Sequence, residues 1–351
     1  MKEYYRCNLF DKKDFVINEK FNVEQTELLL AGAQAQPAKN HKFEKLKVIY
    51  ECTWQMQDNW CSKKPTLLIP IRNNRKLIDI TIKNLKDTNI NNHANIIVID
   101  DRSTEDIKSS TLKNGLSYLR VDNDKGFNFS MLNNIAAKLC YTLGGETIIL
   151  WNSDLWCAKE EWFLELVDRH YKSNSTISGS KLIYPPRHMS INEEEDSENI
   201  KQTFPHMMNG KWRETIQFGG SIFVKTDGQL INYGPNHFLR FGDKNDPRVN
   251  CDKGENFITG ALHITNLKWF IENGGLNPSL SKNFQDVDIC LRVIESGKNV
   301  FYFGKDIHFY HDESLNFHTN KDEKKIDLQF WSDHILFGKI WNDTMEQILF
   351  R

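Results

Sequence analysis

Four short apolar runs, each breaking off into polar residues, constrain this chain more than any other feature. They are Thr66–Ile71, stopping at Arg72-Asn73-Asn74; Asn95–Ile99, stopping at Asp100-Asp101-Arg102-Ser103; Ser117–Val121, leading to Asp122-Asn123; and Glu146–Leu150, stopping at Asn152-Ser153-Asp154. Apolar runs of this length without polar alternation predict strands buried on both faces. Between them lie amphipathic stretches at helical spacing: Leu77, Ile78, Thr81, Ile82 and Leu85 after the first strand, and Phe129 to Tyr141 after the third. Strand and helix in alternation predict an α/β fold with a Rossmann-like, mostly parallel central sheet flanked by helices. In such a sheet the ligand crevice lies beyond the carboxyl ends of the strands, so the polar tips are expected to converge on one site.

The chain has 351 residues, 39% apolar and 26% charged, a globular balance throughout. A formal net charge of -2 supplies no global field for a phosphate backbone, which leaves a nucleic acid partner unsupported. Seven scattered cysteines, an odd number with no Cys-x-x-Cys pair, read as reduced thiols. No leading signal peptide is visible, and no apolar run approaches the ~20 residues of a bilayer crossing. The expectation is a cytoplasmic chain, at most peripheral to the inner face of a membrane.

Outside the alternating region, Val23 to Ala33 has helical apolar spacing and Lys47 to Trp54 reads as a strand. Residues 185–255, with Pro185-Pro186 and the acidic run Glu193–Asp196, predict loops and short strands, the acidic run being a solvated loop. A strand is expected at Phe257 to Thr265 and a helix near Leu267 to Asn273. A second helix is expected over Asn283 to Ser296, where Val287, Leu291 and Ile294 share a face and Gly297 stands at the cap position. From about Lys325 the tail reads as helical.

Several of these residues carry chemistry. Asp100 and Asp101 close a buried strand, where a carboxylate needs donors; an imide or a pair of ribose hydroxyls supplies them, as do the amides of a following helix. Asp154 stands after a buried strand, placed either in a plain turn or to bind a hard divalent cation that bridges diphosphate oxygens. Asp286 and Asp288 open the 283–296 helix two residues apart and so do not share a face. We assign Asp286 to the cleft as a general base and leave Asp288 to structural hydrogen bonds, against the plain alternative of two first-turn acids. His311, after the apolar stretch Val300 to Tyr310, is either structural or a further metal ligand, with His308 and His318 as nearby competitors.

Taken in order, these segments resemble family 2 of the glycosyltransferases from about Pro65 to Ser314. The matching stretches are Leu68–Asn73, Val98–Ser103, Gly126–Asn134, Leu150–Asp154, Thr259–Ala261, Gly274–Leu276, Gln285–Arg292 and His311–Ser314. The Phe127-Asn-Phe-Ser130 and His311-Asp-Glu-Ser314 forms look most like the branch that builds bacterial surface polysaccharides, including rhamnosyl and furanosyl transferases. The resemblance implies a GT-A fold and an inverting transfer from a nucleotide-diphosphate sugar, with Mn2+ or Mg2+ as cofactor. It implies a glycan or lipid-linked glycan acceptor. It divides the chain into an N-terminal extension (1–62), a transferase domain (63–315) with its nucleotide-binding half at 63–155 and acceptor half at 156–315, and a helical tail (316–351).

By position, the nucleotide-sugar residues implied are Pro70, Arg72, Asp100, Asp101, Asn134, Asn152 and Asp154, with Asp154 and His311 as metal ligands and Asp286 as the base. Asn152 replaces the first acid of the family's usual Asp-x-Asp, and Gln285 replaces the usual Glu before the base. Two other classes compete: a catalytically dead sugar-nucleotide or glycan binding module, and the same chemistry on a modified DNA base. A nicotinamide-dependent enzyme is excluded, since the first turn, Arg72-Asn73-Asn74, lacks the required glycines.

Overall fold

A computed structural model of the protein describes residues 24–32, 46–123, 126–189, 212–226, 230–312 and 328–350. His318 and the acidic run 193–196 lie outside the described residues. The strands are β1 (Glu24–Gly32), β2 (Leu46–Gln55), β3 (Thr66–Ile71), β4 (Asn95–Asp101), β5 (Ser117–Val121), β6 (Thr147–Trp151), β7 (Leu155–Trp156) and β8 (Ile177–Ser180). They continue with β9 (Leu182–Ile183), β10 (Ile216–Phe218), β11 (Ser221–Lys225), β12 (Tyr233–His237), β13 (Asp252–Gly254), β14 (Leu262–Asn266), β15 (Val300–Phe303) and β16 (Phe309–His311). The helices are α1 (Arg75–Asp87), α2 (Ile90–His93), α3 (Ile107–Leu112), α4 (Phe129–Thr142), α5 (Glu160–Ser173), α6 (Leu267–Glu272), α7 (Gln285–Glu295), α8 (Leu328–Trp341) and α9 (Met345–Leu349).

Ten strands form one sheet in the order β1-β2-β5-β4-β3-β6-β14-β8-β15-β13. Its centre, β5-β4-β3-β6, is parallel throughout, and each of β3, β4 and β6 is buried along its whole length. Burial on both faces is what the unbroken apolar runs demand. The chain order reverses between β3 and β6, and that switch point is where an open α/β sheet parts to admit a ligand. The β3–β6 ladder ends at the Leu68–Leu150 pair, two residues before Pro70, whose nitrogen has no hydrogen to donate. A second sheet, β10-β9-β16-β7, stands beside this end of the first.

Three sequence expectations need correction. In the Val23 to Ala33 stretch with helical spacing, Glu24–Gly32 is a strand: β1 pairs antiparallel with β2, and β2 pairs antiparallel with β5, so both strands extend the edge of the main sheet. The consecutive leucines at 28–30 satisfy either period, and strand pairing decides between them. The strand expected over Phe257 to Thr265 begins only at Leu262, because residues 259–261 form a turn whose backbone groups serve the site described below. Val300 to Tyr310 is two strands in different sheets, broken at Gly304, where a Cβ would strike the Val249 carbonyl and the Tyr302 ring.

The interior also holds titratable groups. His263 on β14 is fully buried, and neither ring nitrogen meets a hydrogen-bond partner among the described residues. Burial, with nearby His170 adding to it, pushes its pKa down to about 3; burial alone takes His170 down to about 4. The unfolded chain, with ordinary histidines near 6.5, binds these protons first, so the stability they contribute is complete above that pH and is lost as pH falls toward 4. Each such proton taken up on unfolding corresponds to a loss of about 1.4 kcal/mol per pH unit near pH 5. Urea unfolding at pH 7 and pH 5 is expected to show the His263 share as a difference, the loss near pH 5 being smaller in His263→Leu than in the parent by about 1.4 kcal/mol per pH unit; an unchanged slope in that variant would refute the assignment.

Candidate active site

At the tip of β3, Asn73 and Asn74 both take left-handed backbone, which asparagine tolerates better than most residues. The Asn73 amide donates to Ser103 Oγ at 2.7 Å, while Glu105 accepts the amides of Asn74 and Arg75 at 2.9 and 2.6 Å. The loops after β3 and β4 are thereby tied into one rim. Arg72 Nη1 lies 3.2 Å from Asp101 Oδ2, and Asn123 Nδ2 donates to Asp101 Oδ1 at 3.1 Å. Burial raises the Asp101 pKa to about 6, and the hydrogen bond from Asn123 and the Arg72 guanidinium oppose the shift.

Asp100, its neighbour on β4, points elsewhere. Its carboxylate accepts from the Ser103 amide at 2.8 Å, from Arg120 Nη1 at 3.2 Å and from the Tyr118 hydroxyl. The alternation of a strand thus separates the two acids, and Asp100 is engaged by its own chain. Pro70 lies inside β3, opposite Ile99.

The turn after β6 is built by backbone bonds. The Asn152 amide donates to the Ala261 carbonyl at 3.0 Å, the Leu155 amide to the Asn152 carbonyl at 3.1 Å, and Trp151 Nε1 to the Leu155 carbonyl at 3.0 Å. Pairing of β7 with β16 sets His311 opposite Leu155, and the Asp312 amide donates to the Asp154 carbonyl at 3.0 Å. As a result His311 Nε2 lies 3.2 Å from Asp154 Oδ1 and 3.2 Å from Asn152 Nδ2. Both the Asp154 and His311 side chains are more than nine-tenths buried.

A carboxylate oxygen and an imidazole nitrogen at that separation suit adjacent positions around one divalent cation, since ligands at about 2.1 Å in octahedral geometry lie about 3 Å apart. Among the described residues no group of three or more His, Cys, Asp or Glu could hold a metal. Asp154 and His311 could supply two ligands to such a cation and would leave positions for other oxygens. His308 stands apart, its ring 4.2 Å from that of Trp162.

Asp286 occupies the first turn of α7. Its Oδ2 accepts the Gly260 amide at 2.7 Å and its Oδ1 the Val287 amide at 2.9 Å. Burial raises its pKa above the ordinary carboxylate value, against those amide bonds. The next residue after Gly260 is Ala261, whose carbonyl holds Asn152, so the 259–261 turn links Asp286 to the turn carrying Asp154. Asp288 is buried and structural: Arg292 Nε and Trp341 Nε1 each donate to it at 3.0 Å. Gln285 donates to the Lys282 carbonyl at 3.3 Å, and its Oε1 is buried with no partner among the described residues.

Asn134 is fully buried on α4 and clamps a loop, with Nδ2 on the Leu276 carbonyl at 2.8 Å and Oδ1 on the Leu276 amide at 2.9 Å. Gly275 beside it has φ +64°, and a Cβ there would lie 2.3 Å from Asn134 Oδ1. Arg292 donates to the Gly275 carbonyl at 2.6 Å, so Asn134 supports α7 at one remove. The structure therefore joins Asn152, Asp154 and His311 directly, links Asp286 to them, and pairs Arg72 with Asp101; Asp100 bonds to Ser103, Tyr118 and Arg120, and Asn134 to the Leu276 backbone. Sequence reasoning missed Asn123 and the role of the Gly260 amide. A buried asparagine two residues past the end of β5 carried no local signal, and backbone donors leave none.

A parallel α/β core with its polar strand tips gathered at the switch point is the GT-A type of fold. The crystal structure of GalNAc-T7 with UDP, GalNAc and Mn2+ superposes with a TM-score of 0.51 at 15% identity, covering 71% of this chain and 43% of that one, a likeness of fold. The mannosyltransferase PcManGT from Pyrobaculum calidifontis, in complex with GDP-Man and Mn2+, is more distant: TM-score 0.44, 11% identity, 74% of this chain and 60% of that one. Residues 66–240 match the model of Glycosyl transferase family 2, and the chain carries a domain of that family. An uncharacterised protein of Sinorhizobium fredii, y4gI, is 24% identical over 289 residues. The match covers 79% of this chain and 27% of that protein, so this chain spans about a quarter of that relative's length. No helix among the described residues is long and apolar enough to cross a membrane.

Proposed function

We propose that this chain transfers a sugar, with inversion, from a nucleoside-diphosphate sugar to an acceptor hydroxyl, with a divalent metal held by Asp154 and His311. The observation that carries the reading is that three chemically distinct parts stand at one end of the central strands: the Arg72–Asp101 pair, the Asp154–His311 pair, and Asp286. The family 2 domain supports the transferase class, and GalNAc-T7, of the same fold, holds UDP and Mn2+.

Arg72 and Asp101 face the nucleoside, with the carboxylate accepting from an imide or from ribose hydroxyls. When bound, the metal neutralises charge on the diphosphate, and the sites it needs are the carboxylate of Asp154 and the imidazole of His311. Asp286 keeps a lone pair on each oxygen beyond the amide bonds it accepts, so it can still take a hydroxyl proton. Its raised pKa makes it a stronger base than an ordinary carboxylate. As the acceptor oxygen bonds to the anomeric carbon and the nucleoside diphosphate departs, the hydroxyl proton passes to Asp286. The amides of Gly260 and Val287 fix the direction from which it acts. We assign the acceptor to a glycan, in keeping with the polysaccharide-building branch that the sequence resembles.

The test is a thermal-shift panel of nucleoside diphosphates and their sugars, each with Mn2+ and with EDTA. A rise in melting temperature with one nucleotide sugar that vanishes in EDTA is expected, because ligands that bind only the native state stabilise it by mass action. The same rise in EDTA would remove the metal from the site, and no rise with any compound would remove the donor.

A further inference from the structure

Phe284, two residues before Asp286, has φ +64° and ψ 0°. Left-handed backbone is disfavoured for a bulky L-residue and persists only where surrounding contacts enforce it. Those contacts come from α8. The Phe284 ring stacks on Phe337 at 4.7 Å and 24°, and meets His334 edge-on at 4.5 Å. Asp333, fully buried, accepts the amides of Lys282 and Asn283 through Oδ2 at 2.9 and 3.0 Å. Eight residues on, Trp341 Nε1 holds Asp288 at 3.0 Å. Residues 333, 337 and 341 share one helix face, so a single face of α8 grips the chain immediately before and after Asp286. The first helical bond of α7, from the Asp288 amide to the Phe284 carbonyl at 2.8 Å, starts from the residue so held.

We infer that α8 is a positioning element for the base, and that Asp333 and Phe337 are positioning residues that hold the Phe284 turn so that Asp286 meets the Gly260 amide. The inference rests on the reading of Asp286 as the base. It extends the functional unit from the start of α7 into a helix that begins more than eighty residues past the end of the family match.

The test compares Asp333→Ala, Asp333→Asn and Phe337→Leu with the parent and with Asp286→Asn. Hydrogen–deuterium exchange is measured on the free proteins. Kinetics use whichever of UDP-glucose, UDP-galactose, GDP-mannose and dTDP-rhamnose releases nucleotide fastest with Mn2+. Asp333→Ala should speed exchange across residues 282–288 at least tenfold while peptides covering 66–71 stay protected. It should lower kcat 10- to 100-fold with the donor KM within twofold, and move the acidic limb of the pH profile to higher pH as Asp286 loses its amide donors. Asp333→Asn, which retains an acceptor oxygen, should recover most of kcat. Phe337→Leu stays apolar while removing the ring that stacks on Phe284 and should lose 3- to 10-fold, a second readout should Asp333→Ala fold poorly. Parental kcat and pH profile in Asp333→Ala, beside an inactive Asp286→Asn, would overturn this inference alone. Parental turnover in Asp286→Asn would overturn the base and this inference with it.

Discussion

Replacing Asp286 with asparagine is expected to lower sugar transfer by about 10²- to 10⁴-fold, the usual contribution of a positioned general base. Nucleotide binding should stay within about twofold, since the residue's bonds are to Gly260 and Val287 and not to the turn that carries Asp154. Asparagine keeps the shape and can still accept one amide, so the fold of the 259–261 turn is retained and the loss reports chemistry. The parent should also show an acidic limb in kcat. Burial lifts the Asp286 pKa above its ordinary value, the base works only when ionised, and so the rate falls as pH drops through that raised value. Steady-state kinetics from pH 4.5 to 8 decide the matter. Full turnover in the variant, or a rate that is flat down to the ordinary carboxylate range, would assign the base elsewhere.

The second large effect is on the metal. Asp154→Ala removes the oxygen ligand we propose and leaves His311 beside Asn152, a pair with no negative charge to hold a hard cation. Calorimetric titration of the preferred nucleoside diphosphate with Mn2+ should show affinity falling by at least tenfold, about 1.4 kcal/mol, and losing its sensitivity to EDTA. His311→Ala should fall in the same direction by less, because a neutral imidazole contributes no charge. If Asp154→Ala bound nucleotide as the parent does, with the same dependence on Mn2+, the cation would sit elsewhere.

Much of the candidate site was legible because its residues announce themselves locally. A buried apolar strand that ends in carboxylates or amides leaves polar chemistry at the end of the sheet, and this local pattern is enough to single out Asp101, Asn152 and Asp154 as candidates. The i, i+2 spacing of Asp286 and Asp288 likewise separated one role from another, and the packing of Asp288 against Arg292 and Trp341 matches its structural assignment. The illegible part consists of groups whose partners are remote in the chain. Asp100 and Asp101 are indistinguishable as a dipeptide, and only the neighbouring β5 strand, with Tyr118 and Arg120, claims one of them. Asn134 belongs to a matching stretch, yet its side chain is spent on a backbone 142 residues away.

What the sequence by itself determined is the alternating α/β plan, the buried parallel strands and the polar residues at their tips, because burial pattern and strand period are local properties of the chain. Only the tertiary structure decided which of those polar residues meet. The approach of His311 to Asn152 across 159 residues depends on the pairing of β16 with β7. The hold of α8 on the start of α7 depends on contacts that no spacing encodes. Hydrogen bonds act over about 3 Å, and which groups come within that reach is settled by how distant strands and helices pack.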